Sequence, residues 1–316
     1  MKPLLIGIIG PTGVGKTNIS VELALRLNGE IISTDSMQVY RQLNIGTAKI
    51  SELETKGVSH HLINIINPDE PFSVADFQQL AKEKIYEISA RGKLPFLVGG
   101  TGLYINALTA PYKFQEHTVN QSRRQELATL AEAKGNHFVH DLLAQVDSEL
   151  AAKLHHNDLR RIIRGIEYYE ATGEKISNNY VDINQTKGEF NVVLIGLTME
   201  RNILYHRIDA RVDEMINDGL IEEVTNLLKQ GYSPNLPALQ SLGYKEIISY
   251  LTGKNSLEEA ISLLKRNTRR FAKRQLTWFK RDHRIHWFNI DPNDDILKII
   301  EKICAYIGRT TNMLVE

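Results

Sequence analysis

Residues Gly10 to Thr17, GPTGVGKT, constrain the fold of this chain more than any other feature. They meet every required position of the phosphate-cradling loop G-x-x-x-x-G-K-[ST]. Before the loop lies Leu4-Leu5-Ile6-Gly7-Ile8-Ile9, an apolar run that suits a buried strand. After it, Thr17 to Leu27 (TNISVELALRL) carries apolar residues densely enough for a helix packed on a sheet. Glycines let backbone N–H groups converge on an anion, and the helix N-terminus adds partial positive charge there. Lys16 supplies a full charge, and the Thr17 hydroxyl can bind Mg²⁺ or a phosphate oxygen. The pattern binds a di- or triphosphate.

The rhythm continues over the first 110 residues. Glu30 to Thr34 reads as a second strand ending at Asp35, and His61 to Ile66 as a third. A helix follows from Ser73 to about Arg91. Leu94 to Val98 is a fourth strand, ending in Gly99-Gly100-Thr101-Gly102 and a short helix. Alternation of this kind predicts an α/β fold, a P-loop NTPase-like parallel sheet flanked by helices. Ligands of such sheets sit beyond the carboxyl ends of the strands, so Asp35 and Thr101 fall beside the phosphate loop.

From about Phe114 to Glu189 strands disappear. Ser122 to Lys134, His137 to Leu154 and Asp158 to Ala171 read as helices of an α-helical insertion domain. Asn191 to Leu197 returns to strand chemistry, with helices from Glu200 to Gln230. A turn-rich stretch, Gly231 to Gly243, precedes a long helix from Ser256 to Arg281 and a last strand, Ile285 to Ile290. The expected organisation is a first core segment, 1–113, the helical insertion, 114–190, and a second core segment, 191–316.

The chain has 316 residues, 42% hydrophobic and 24% charged, with zero formal net charge. No run approaches the length of a membrane helix, and the short N-terminal apolar run holds glycine and feeds the loop. No membrane partner is therefore expected, and the expected compartment is cytoplasmic. One cysteine, Cys304, excludes an intramolecular disulfide and a Cys-rich zinc site. Its neighbours, KIICAYI, suit a buried, inert thiol. Neutrality hides an asymmetry: nine basic residues between Lys265 and Arg284 are opposed only by Asp282. With Phe271, Trp278 and Phe279 among them, the block is the footprint of a polyanion site.

Asp35, in STDSMQVY, fits a general base on the acceptor side of the phosphate site; the alternative is a turn or N-cap aspartate. Thr101 follows two glycines, so it can approach a ligand closely or cap the next helix. Arg207 and Arg211, four apart on one helix face, suit a diphosphate clamp. With Asp209, Asp213 and Glu214 they also suit a solvated face of ion pairs. His155 and His156 lack a matching ligand set for a metal.

GPTGVGKT, STDSMQVYRQLNIGTAK, HHLINI, FSVADF, LVGGTGLYINAL, HNDLRRIIRGIEYYEATG, QSLGYKEI and KRQLTWFKR stand in the order found in tRNA dimethylallyltransferases, the IPP transferase family. The chain resembles that family from about Leu4 to Asn289, and its last eight residues, from Arg309, match nothing recognisable. The resemblance implies transfer of a dimethylallyl group from dimethylallyl diphosphate to N6 of the adenosine 3′-adjacent to the anticodon, with Mg²⁺. It implies that Gly10, Pro11, Thr12, Gly13, Val14, Gly15, Lys16 and Thr17 hold the diphosphate, with Thr17 on the metal. Asp35 would take the proton, Thr101 position the reacting groups, and Arg207 and Arg211 lie on the diphosphate side. Facing the anticodon stem-loop of tRNA would be Asp35, Ser36, Met37, Gln38, Thr101 and Arg123. Leu159, Arg160, Arg161, Ile162 and Ile163 would join them, as would Gln240, Ser241, Leu242, Gly243, Tyr244 and Lys245. Lys273, Arg274, Gln275, Trp278 and Lys280 complete the implied surface. Nothing demands more than a monomer. Two other classes fit part of the pattern: a P-loop small-molecule kinase using ATP, and a nucleotide-regulated RNA-binding protein.

Overall fold

Strand propensity and helix caps punctuate the chain into six strands and thirteen α-helices among the described residues, which in this computed structural model are 2–111, 120–179, 188–291 and 293–311. The first stretch holds β1 (Leu4–Ile9), α1 (Lys16–Arg26), β2 (Gly29–Ser33), α2 (Glu52–Thr55), β3 (His60–His61), α3 (Val74–Ala90), β4 (Leu94–Gly99) and α4 (Gly102–Thr109). Four helices follow: α5 (Gln121–Lys134), α6 (Asn136–Val146), α7 (Ser148–Lys153) and α8 (Leu159–Thr172). The rest is β5 (Asn191–Thr198), α9 (Arg201–Asn217), α10 (Leu220–Lys229), α11 (Tyr244–Leu251), α12 (Leu257–Phe279), β6 (Ile285–Asn289) and α13 (Ile296–Thr311).

The sheet is parallel throughout, in the order β3-β2-β4-β1-β5-β6. On β1, Ile6 and Ile8 pack into one cluster with Ile19 and Leu23 of α1 and Ile300, Ile303 and Ile307 of α13. Leu5 and Ile9 pack into the opposite one, with Phe77 and Ile85 of α3 and Ile105 of α4. A strand apolar on both faces is what a parallel sheet between helical layers requires. Two compact units emerge, Met1–Ala110 with Lys187–Glu316, and Pro111–Thr186. The expected segment edge at 113/114 lies outside the described residues. Among the described residues, no helix is long and apolar enough to cross a membrane.

Several elements differ from expectation. The third strand keeps only His61 of its expected span and begins at His60, because Leu62 and Asn64 turn left-handed (φ 60° and 58°) and Ile66 makes only an isolated bridge to Tyr40. The helix expected over His137 to Leu154 is broken at Asp147, whereas the helices expected from Glu200 to Gln230 are two, parted at Gly219 (φ 99°). Three helices were not foreseen. α2 is set by a Ser51–Glu54 capping box, α11 by the Gly243 N–H donating to Glu246, and α13 by a stripe that buries Cys304.

Asp147 shows why its helix divides. Fully buried, its carboxylate accepts from Leu150 N at 3.0 Å, starting α7, and from Ser177 N at 2.9 Å. Asp147→Ala leaves two buried N–H groups without partners, a loss of about 1–3 kcal/mol of local stability. Hydrogen exchange at the Leu150 and Ser177 amides reports it; unchanged protection there would exclude a stabilising role for Asp147.

Candidate active site

β1 delivers the chain into the phosphate loop at Gly10, where a Cβ would lie 2.5 Å from the Leu197 carbonyl oxygen of β5. Only glycine permits that approach. Gly15 (φ 97°) then opens α1 directly, so Lys16 is the first helical residue. The Lys16 ammonium folds back over the loop and donates to the carbonyls of Gly10 at 3.0 Å and Pro11 at 2.9 Å. Burial, with the Arg211 charge adding to it, lowers its pKa to about 8. Asp35 opposes the shift.

Gly13, Gly15 and Thr17 line a cavity of about 670 Å³ together with Lys49, Arg207 and Arg211. Among the described residues the Thr17 hydroxyl has no protein partner. Arg207 and Arg211 thus face the loop, while Asp209 and Asp213 pair elsewhere, with Arg269 and Lys265 of α12. The helix is therefore divided, with its arginines on the cavity and its aspartates on α12. Lys49 was not singled out by the sequence. Its ammonium donates to Tyr40 O at 2.7 Å, Asn44 Oδ1 at 3.0 Å and Asn64 Oδ1 at 2.6 Å, and burial lowers its pKa to about 8.

A second cavity, about 320 Å³, is lined by Thr12, Asp35 and Thr101, and shares Ala48, Arg211 and Met215 with the first. Asp35 is both a turn residue and a cavity residue. Its Oδ1 accepts from Met37 N at 2.9 Å, leaving the second oxygen without a protein partner among the described residues. Thr101 stands at the N-cap of α4, yet its side chain caps nothing; Oγ1 accepts instead from Ser36 N at 3.2 Å. Ser36 and Met37 line this cavity, whereas the Gln38 amide is tied to Ser33 Oγ and Thr47 O. Ser241 and Leu242 reach it from the turn before α11, and Lys245 from the first turn of that helix.

α12 presents two edges. Lys273, Arg274, Trp278 and Lys280 are exposed, and Lys273, Arg274 and Trp278 line a groove with Arg270 and Arg281. Of the nine basic residues in the block, Lys265, Arg269 and Arg284 are neutralised by Asp213, Asp209 and Asp282. Gln275 departs from its expected place on the RNA-facing surface. Buried, it accepts from Thr12 N at 2.9 Å through Oε1 and donates through Nε2 to Gly100 O at 3.0 Å. It holds the phosphate loop and the Thr101 turn together. Trp278 packs on the same turn, where a Cβ at Gly102 would lie 2.2 Å from its indole.

Other expected contact residues are also interior. Tyr244 is fully buried, its hydroxyl donating to Glu223 at 2.6 Å, and Gly243 is buried beside it. Gln240 is exposed. In the helical unit, Ile162 and Ile163 belong to the core, because their helix turns that face inward, while Arg160 and Arg161 are exposed and Leu159 is half-buried. Arg123 pairs with Glu170 and Glu126. His155, His156 and His137 stack on one another. Among the described residues no three His, Cys, Asp or Glu side chains are grouped to hold a metal ion.

Comparison with known proteins gives the family. A family model described as IPP transferase matches residues 38–282. The tRNA dimethylallyltransferase of Alkaliphilus oremlandii is 54% identical over 303 residues, 96% of each chain. That of Carboxydothermus hydrogenoformans is 50% identical over 308 residues, 98% of each. Among solved structures, the full-length tRNA isopentenylpyrophosphate transferase of Bacillus halodurans is 46% identical, with TM-score 0.73, covering 98% of this chain and 99% of its own. A eukaryotic dimethylallyltransferase, captured in crystallographic snapshots acting on tRNA, gives TM-score 0.82 at 30% identity, covering 99% of this chain and 81% of its own. The chain belongs to the IPP transferase family.

Proposed function

We propose that this chain transfers a dimethylallyl group from dimethylallyl diphosphate to N6 of the adenosine 3′-adjacent to the anticodon of tRNA, releasing diphosphate. The observation that carries the reading is the pair of adjoining cavities. One lies beside the phosphate loop and is lined by Lys49, Arg207 and Arg211, the other holds Asp35 and Thr101, and Arg211 lines both. The diphosphate lies on the loop, held by its N–H groups, Lys16 and Arg207. The adenine enters the second cavity with its amine toward Asp35 and Thr101.

An exocyclic adenine amine is a weak nucleophile, so the allylic carbon must gain positive character as its C–O bond breaks. The electron pair leaves with the diphosphate oxygen, where Lys16 and Arg211 stabilise the growing charge. The amine nitrogen bonds to the carbon, and its surplus proton passes to the unpartnered oxygen of Asp35. Met37 N holds the other oxygen and so fixes the carboxylate's direction. Thr17 offers a hard oxygen donor at the cavity wall, and the Ser/Thr hydroxyl of a phosphate loop is a usual Mg²⁺ ligand beside the substrate phosphates, so the donor fits. When bound, Mg²⁺ neutralises charge on the diphosphate. The exposed edge of α12 and the arginines Arg160 and Arg161 meet the RNA backbone, offsetting the few kcal/mol needed to extrude a stacked base.

Asp35→Asn is expected to cost at least ~10²-fold in single-turnover transfer to an anticodon stem-loop, while RNA affinity persists. Near-normal turnover would remove Asp35 from the chemistry.

The lysines give a pH dependence. Bound diphosphate favours the Lys16 ammonium, so donor binding takes up a proton when the free site is deprotonated. Affinity is then full below its pKa of about 8 and lost as pH rises through it. From pH 7 to pH 9 the donor Kd should rise roughly tenfold for this lysine, the donor's own last ionisation, near ~6, being largely complete by pH 7. A flat profile, or one unaltered in Lys16→Met, would count against the assignment.

Neutralising Lys273, Arg274, Lys280 and Arg281 together should weaken all tRNAs alike. The slope of log affinity against log salt should fall by roughly 0.7–0.9 per lost phosphate contact, with base selectivity retained. Filter binding across a salt series decides it; an unchanged slope in a folded variant would move the RNA off this helix.

A further inference from the structure

The segment Asn44–Lys49 forms the wall between the two cavities. Asn44, Ile45 and Lys49 line the phosphate-loop side, Gly46 and Thr47 the Asp35 side, and Ala48 both. Such a wall has no regular secondary structure of its own, and Ala48 stands left-handed at φ 46°. What holds it comes from far along the chain. The Glu223 carboxylate, on α10, accepts from three successive backbone N–H groups: Asn44 at 2.9 Å, Ile45 at 2.9 Å and Gly46 at 3.2 Å. The buried Tyr244 hydroxyl donates to the same carboxylate at 2.6 Å. The Tyr244 ring also fills the space where a Cβ of Gly46 would stand, 2.5 Å away.

Hydrogen bonds to an ionised acceptor are roughly twice as strong as neutral ones, and four converging on one carboxylate fix the wall in position and in angle. The charge has a second consequence. Glu223 opposes the burial of Lys49 and so supports the ammonium that faces the donor cavity. We infer that Glu223, with Tyr244, is a positioning residue for the prenyl donor, setting the wall against which dimethylallyl diphosphate is seated. The inference rests on the transfer reaction proposed above. Neither side chain lines either cavity, so both act through the wall rather than on a substrate.

Two variants and a split of kinetic constants test it. Glu223→Gln keeps shape but turns an NH₂ toward backbone donors. Tyr244→Phe keeps the ring against Gly46 and removes only the hydroxyl. With wild-type protein, dimethylallyl diphosphate and an anticodon stem-loop RNA, KM is measured for each substrate. The expected result is a donor KM raised about tenfold or more in Glu223→Gln and a smaller rise in Tyr244→Phe, with the RNA KM within about twofold of wild type in both. A purely structural role predicts less folded enzyme, hence lower kcat with both KM values unchanged, and that result overturns the inference. Parallel rises in both KM values overturn it as well. If Glu223→Gln does not fold, Tyr244→Phe decides alone. A wild-type protein that performs no transfer would overturn the function and the inference together; active wild type with unaltered donor KM in the variants would overturn the inference only.

Discussion

Parallel strands that stop level with one another determine where this protein can act. Ile9 lies opposite Gly99 of β4, and Ser33 of β2 opposite Val98, so three strands release their chains at one edge of the sheet. The phosphate loop, the Asp35 turn and the Thr101 turn are the three exits. Each is irregular backbone needing partners for its polar groups, and each finds some in the others. Thr101 Oγ1 receives the Ser36 N–H, and the Gln275 amide joins Thr12 to Gly100. A buried polar group without a partner costs about 1–3 kcal/mol, so these contacts over-determine the site before any ligand arrives.

Much of this was legible in the sequence because the signals are local. The glycines and Lys16 of the loop, the apolar strands and the i, i+4 arginines on α9 declare themselves within a few residues. Asp35 and Thr101 follow from their places after strands. What was not legible depends on partners far away. The basic block reads as nine free charges until Lys265 and Arg269 meet aspartates 52 and 60 residues distant. Motif membership likewise cannot tell which side of a helix faces inward, so Gln275, Ile162, Ile163 and Tyr244 read as surface residues and stand inside. The third strand failed for a different reason. HLINII has strand composition, but Leu62 and Asn64 adopt a left-handed backbone that only their surroundings enforce.

The proposed reaction asks for two anion-binding modes in one unit, with opposite physics. At the phosphate loop a few cations are sequestered, and Lys16, Lys49 and Arg211 all have pKa values depressed by burial. Attraction there is strong and little affected by salt. Along α12 the cations are exposed, and screening over ~10 Å weakens each of them at moderate ionic strength. The first mode suits a small ligand held in one pose, the second a large polyanion that must also leave.

The neck formed by Ala48, Arg211 and Met215 has a kinetic consequence. In the reaction proposed above, each substrate loads into its own compartment. A single displacement across the neck needs no covalent carrier on the protein, so double-reciprocal plots should intersect rather than run parallel.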